Sequence, residues 1–292
     1  MRLITAQVLV AWLALAAVAA LYGSALFVLL VCAPAPAGPG QAEARRALAR
    51  LWRVLTVLAV VLVPIGFLAA TSATSGTSLG EALGLIAATV RDSRAGRLWC
   101  ARVVLTLALF SAAWMPWESR LRDGAIVVLG ALWLVARAMV SHTLDHGALA
   151  VGVYAVHMLA AGLWFGAMVG FSFGAAQADD PGWGAAAMPW LWRVAGWCAA
   201  IVVLTGFLIA YAVVGLVPAD LIYSRYGREL MAKVMLFTVV IAFGVYIRLR
   251  LARRATEESG RYELVRAIGI ESVLLIGVIE FAVLLAHSRL PH

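Results

Sequence analysis

Residues 3–33, LITAQVLVAWLALAAVAALYGSALFVLLVCA, form an apolar run with no charged side chain between Arg2 and Glu43. A helix that crosses the hydrocarbon core of a bilayer needs about 20 such residues. Arg2 ahead of the run and Ala33-Pro34-Ala35 behind it imitate a secretory signal peptide. The apolar core of a signal, however, is only about 7–15 residues long. The stretch is therefore read as an uncleaved first membrane span.

Outward from this run the same pattern repeats. The 292 residues are 64% hydrophobic and 13% charged, and the mean hydropathy is +0.96. These values lie far outside the range of soluble globular domains. Apolar stretches separated by polar or Gly/Pro-bearing breaks place spans near 5–32, 47–71, 97–116, 123–142, 149–176, 189–216, 229–250 and 266–287. Spans of this length are helices, since barrel strands are half as long. The expected fold is all-α, a polytopic membrane protein of about eight transmembrane helices forming one domain over residues 1–292. Pro64 falls inside the second span, where it is expected to kink the helix.

The net charge of +8 is not organised for nucleic acid, because no basic run stands beside aromatics on a solvent-facing element. Its arginines instead cluster in loops. Arg248, Arg250, Arg253, Arg254, Arg261 and Arg266 surround the last break, and Arg45, Arg46, Arg50 and Arg53 follow the first. The positive-inside rule puts those loops in the cytoplasm and both termini outside. Cys32, Cys100 and Cys198 are widely spaced in or beside apolar stretches and read as packing residues. Trp99, Trp114, Trp117, Trp183 and Trp190 near span ends read as interfacial anchors.

That orientation gathers the histidines. His142 and His146 fall at the outward end of the fourth span, and His287 at the outward end of the eighth. Met139, His142 and His146 share a helix face at spacings of three and four. Thioether and imidazole together suit Cu(I). Deeper, His157 lies about 14 Å into the fifth span at 1.5 Å per residue, with Glu280 at similar depth in the eighth. Intramembrane ionisable groups are functional candidates by default. Met231 and Met235 stand one turn apart in the seventh span, with Lys233 on another face. The candidate metal ligands are thus His157, His142, His146, His287, Met139, Glu280, Met235 and Met231. Each has a plainer alternative: a hydrogen-bonded core histidine, a solvated loop pair, or methionines that only fill space.

No Walker A, HExxH or phosphorylation-type motif is present to power an ATP-driven pump, so any transport is expected to be passive or ion-coupled, and no enzyme activity is expected. His157-Met158-Leu159-Ala160-Ala161-Gly162-Leu163-Trp164-Phe165-Gly166 resembles the fifth-helix motif of the CopD family of bacterial inner-membrane copper proteins. Gly96-Arg97-Leu98-Trp99-Cys100-Ala101-Arg102, Thr205-Gly206, Tyr226-Gly227 with Lys233, and Glu271 extend the resemblance over nearly the whole chain. Two positions depart from it: Ser141-His142-Thr143 replaces Gly-His-Ala, and Ile247-Arg248 replaces Asn-Arg. The resemblance implies copper uptake from the periplasm, serving copper homeostasis and resistance, with a separate CopC-type periplasmic carrier as partner and self-association left open. Two other readings remain: a b-type haem electron carrier, which needs a second histidine level with His157, and a copper-binding membrane subunit without transport.

Overall fold

The computed structural model describes residues 2–32, 39–116, 119–140, 147–178, 182–214, 224–251 and 258–285. Among them are nine α-helices and no strand: α1 (Arg2–Cys32), α2 (Pro39–Ser75), α3 (Leu79–Asp92), α4 (Arg94–Trp114), α5 (Ser119–Ala138), α6 (Ala148–Gln177), α7 (Gly182–Val214), α8 (Arg225–Tyr246) and α9 (Glu258–Leu285). A π-turn, Ile247–Leu251, closes α8. In a bilayer the backbone can satisfy its polar groups only within the segment, which is why every apolar run is helical.

Seven of these helices are long and apolar enough to cross a membrane. The other two are α3 and α5. The 20-residue α5 matches the fourth expected span, but Arg120, Arg122 and Asp123 crowd its start and Arg137 its end. The 14-residue α3 falls where the sequence reading placed only a break. It is too short to span. A capping box starts it: Ser78 Oγ accepts from the Glu81 amide at 3.4 Å, and Glu81 Oε2 accepts from the Ser78 amide at 2.9 Å. That contact holds the Glu81 carboxyl below its usual range. Leu79, Leu83 and Leu85 remain exposed, so α3 has the character of a helix lying along an interface.

The centre of the bundle is α1, which packs against α6, α2 and α5. A helix apolar all round is one surrounded by protein or lipid. Close approach to α6 depends on missing side chains. A Cβ on Gly23 would run into the Gly162 carbonyl, and one on Gly166 would stand 2.5 Å from Gly23 Cα. This is the small-residue packing that brings membrane helices together where no hydrophobic effect can. Polar ties pin the neighbours: Trp52 Nε1 donates to Ser24 Oγ at 2.8 Å, and Trp12 Nε1 to the Ile276 carbonyl at 3.1 Å. Asp123, fully buried, accepts from Arg45 Nη1 at 3.0 Å and holds α5 to α2.

Two tryptophans differ from their expected interfacial role. Trp183 is buried, stacked on Phe171 at 6.0 Å and seated over Gly174. Trp99 stacks on Phe67 at 5.7 Å and carries the Arg102 guanidinium 3.3 Å above its ring. A tryptophan moves inward where a glycine vacates space or a buried cation needs a π face. Cys198 is buried and Cys100 half-buried, both as free thiols, in keeping with packing roles.

Candidate functional site

Where α6, α7, α8 and α9 converge they enclose a cavity of about 400 Å³ with walls that are almost wholly apolar. His157, Lys233, Tyr154 and Tyr226 are its titratable lining residues, joined by Met158 and by Gly206 at the α7 wall. The position of the imidazole follows from the α1–α6 contact. Gly162 and Gly166 set the height and rotation of α6 against α1, and His157 lies five residues before Gly162, turned away from α1 toward α7.

His157 is 8% exposed. Its Nδ1 lies 2.9 Å from Thr205 Oγ1. The Thr205 hydroxyl already donates to the Ile201 carbonyl at 2.6 Å, the usual back-bond of a helical threonine. Having spent its one proton, the hydroxyl can only accept from the imidazole. This favours the proton on Nδ1, and the Val202 carbonyl on the same helix also accepts from the ring. Gly206 completes the seat: a Cβ there would touch His157 Cε1 at 3.5 Å, an ordinary contact, so the ring lies directly on the α7 backbone. Tyr154, one turn earlier, lies nearly parallel to the imidazole with centroids 6.4 Å apart. A histidine held in one orientation by hydrogen bonds to a neighbouring helix while its ring lines a cavity is arranged as metal-ligating imidazoles commonly are.

Lys233 approaches from α8, near enough to His157 to act on it electrostatically. It is the one lysine or arginine on the cavity wall, and no Asp or Glu among the described residues lines the cavity. At the far side Trp164 meets Phe237 edge-on at 5.7 Å, joining α6 to α8.

The other sequence candidates are not brought to this cavity. Glu280 is exposed on α9 beside Ile279, which does line it. Met231 and Met235 are 47% and 68% exposed, on the face of α8 away from Lys233. Met139 is half-buried just past the end of α5. His142, His146 and His287 lie outside the described residues. Among the described residues no three His, Cys, Asp or Glu side chains converge as a metal centre. Thr205 entered the sequence reading only through the resemblance, and Lys233 only through the resemblance and as the residue between two candidate methionines. For Lys233 a direct signal existed, a lone cation within an apolar span; Thr205, an ordinary helical threonine, offered none.

Seven membrane-length helices around one intramembrane imidazole cavity define a multi-pass helical membrane protein. The family model described as Copper resistance protein D-like, N-terminal domain, matches residues 3–152, and that described as Copper resistance protein D matches residues 185–285. The chain belongs to the copper resistance protein D family. His157 lies between the two matched stretches, whereas Thr205 and Lys233 fall within the second. Searches of the curated proteins and of the solved structures return no match.

Proposed function

We propose that this protein moves copper, as Cu(I), from the periplasm across the bacterial inner membrane, and that it acts as a transporter and not as an enzyme. The observation that carries the reading is the Thr205-anchored imidazole of His157, which lines a cavity inside a membrane bundle of copper-resistance kinship. Met139, His142, His146 and His287 form the outer receiving layer, and His157 is the inner station. Glu280, Met231 and Met235 face outward from the bundle and join such a path only across a contact with a second copy. Copper arrives on a separate CopC-type periplasmic carrier, and both termini face that compartment.

Lys233 bears on the difference between transit and storage. A cation resting at His157 would be repelled by the nearby Lys233 ammonium, and the low dielectric of the bundle leaves that repulsion far less screened than in water. Two opposed effects, a soft ligand and a like charge, favour brief occupancy. That suits conduction, where an ion must bind well enough to enter and loosely enough to leave.

The test uses purified protein in detergent. An absorption spectrum precedes Cu(I) titration against a competing chelator, on wild type and His157→Ala, followed by copper flux into liposomes. Copper binding weakened at least tenfold by the substitution, together with slowed flux, is the expected outcome. Unchanged flux in an equally expressed His157→Ala variant sinks the proposed route. A haem Soret band that disappears with His157 makes the protein an electron carrier instead.

A further inference from the structure

Several lining residues of the His157 cavity are themselves half-exposed on the outside of the bundle. Val203 and Phe207 of α7 are each 56% exposed, and Val234 of α8 is 55% exposed. The helices α7 and α8 are packed through α6 and α9 rather than on one another. Among the described residues the cavity thus opens sideways between α7 and α8, at a depth where the surrounding medium is lipid. Its walls are apolar apart from a few polar side chains, Lys233, His157, Tyr154 and Tyr226. No hydrogen bond or ion pair to Lys233 is formed among the described residues, and its position is the ninth of α8, about 12 Å from the helix start at 1.5 Å per residue. A lysine at this depth ordinarily pairs with an acidic group or reaches the interface. Lys233 does neither, since its side chain is turned into the cavity.

We propose that the cavity is a binding site for a single-chain anionic amphiphile, of the long-chain carboxylate class, that enters from the bilayer between α7 and α8. The carboxylate pairs with the Lys233 ammonium and accepts hydrogen bonds from the tyrosine hydroxyls. The acyl chain lies along Phe207, Val234 and Phe237 and leaves through the lateral opening. Charge complementarity selects an anion, the apolar wall selects a chain, and the opening selects the membrane as its source. An occupant seated here covers His157, so the same site regulates access to the imidazole. The proposal does not depend on copper reaching that imidazole.

The experiment measures binding of a fluorescent polyene fatty acid to the purified full-length protein in neutral detergent. Its methyl ester, sodium acetate and inorganic phosphate serve as competitors, and Lys233→Met, Lys233→Arg and Val203→Trp as variants. The expected result is displacement by long-chain acid at least about tenfold better than by the ester, with that preference lost in Lys233→Met and kept in Lys233→Arg. Val203→Trp, which leaves those polar side chains untouched, is expected to slow entry of the acid. Lys233→Met removes an unpaired cation, so the empty variant is expected to melt no lower than wild type, which separates lost binding from lost fold. Equal binding of acid and ester, or an unchanged preference in Lys233→Met, overturns the proposal. Displacement by millimolar acetate or phosphate overturns it as well, since the site then takes free anions rather than amphiphiles.

Discussion

His157 and Thr205, 48 positions apart on α6 and α7, share one hydrogen bond of 2.9 Å, and the Thr205 back-bond to Ile201 fixes which of them donates. The orientation of the buried imidazole is therefore held by α7, through the Thr205 hydroxyl and the Val202 carbonyl. Thr205→Val keeps the shape of the side chain and removes the acceptor. It is expected to weaken Cu(I) binding by about 10–100-fold, the usual effect of losing the group that orients a metal-ligating histidine. Thr205→Ser is expected to retain most of the affinity. Competition titration of the two variants provides the check, and equal affinities in Thr205→Val and wild type would remove Thr205 from the site.

The contact between α1 and α6 has no room for a methyl group. Gly166→Ala sets a Cβ against Gly23 Cα, backbone against backbone, where no side chain can turn aside. Overpacking of this kind costs about 1–3 kcal/mol. Thermal melting in detergent should fall accordingly. Gly152→Ala, at a position with open space around it, is the matched control and should melt as wild type or slightly higher.

Arg102 is 2% exposed, lies 3.3 Å over Trp99 and 5.4 Å from the Trp133 ring centroid, and has no hydrogen-bond partner at Nε or Nη2. Among the described residues its charge rests on π faces and not on a carboxylate. A planar guanidinium can stack in this way and a compact ammonium cannot. Arg102→Lys is expected to lower stability by about 1–2 kcal/mol, while Arg102→Met, which removes the buried charge and keeps the length, should cost less. Chemical unfolding of the two variants side by side decides the order. A Lys variant as stable as wild type would show that stacking contributes nothing.

The capping box of α3 carries a pH dependence. The Ser78 backbone N–H bonded to Glu81 depresses that carboxyl below its ordinary value of 4.5. A group whose folded pKa is lowered contributes its stabilisation above the unfolded pKa and loses it as pH falls through the folded one. The start of α3 should therefore stay capped at neutral pH and fray only when the medium becomes more acid than the ordinary carboxylate range. Amide exchange at Ala82 and Leu83, followed from neutral pH downward and corrected for intrinsic rates, should show protection dropping in wild type. Glu81→Gln should give a flat profile, because its amide still caps and does not titrate.

What the sequence determined by itself is local. The need to cross lipid with every backbone group satisfied is met residue by residue, so the apolar runs announced their helices, although α5, expected as the fourth span, carries charged ends that keep it out of the seven membrane-length helices. The same logic singled out His157, since one imidazole inside an apolar run has few plain explanations. The tertiary structure alone decided the facing of side chains. Met231, Lys233 and Met235 lie on one helix at spacings that separate the lysine from the methionines. Yet the scattered polar residues of α8 mark no single face that shows which side turns inward, and only the packing of α6 and α9 placed Lys233 on the cavity and both methionines outside. Glu280 was read at the depth of His157, which is a matter of counting residues, but its direction is a matter of rotation, and α9 turns it outward. The α3 helix was missed because its stabilisation comes from a capping box and an interface rather than from length. The pairing of His157 with Thr205 was out of reach for the same reason: it depends on how close α6 and α7 come, a distance set by glycines and ring contacts that belong to no single stretch of sequence.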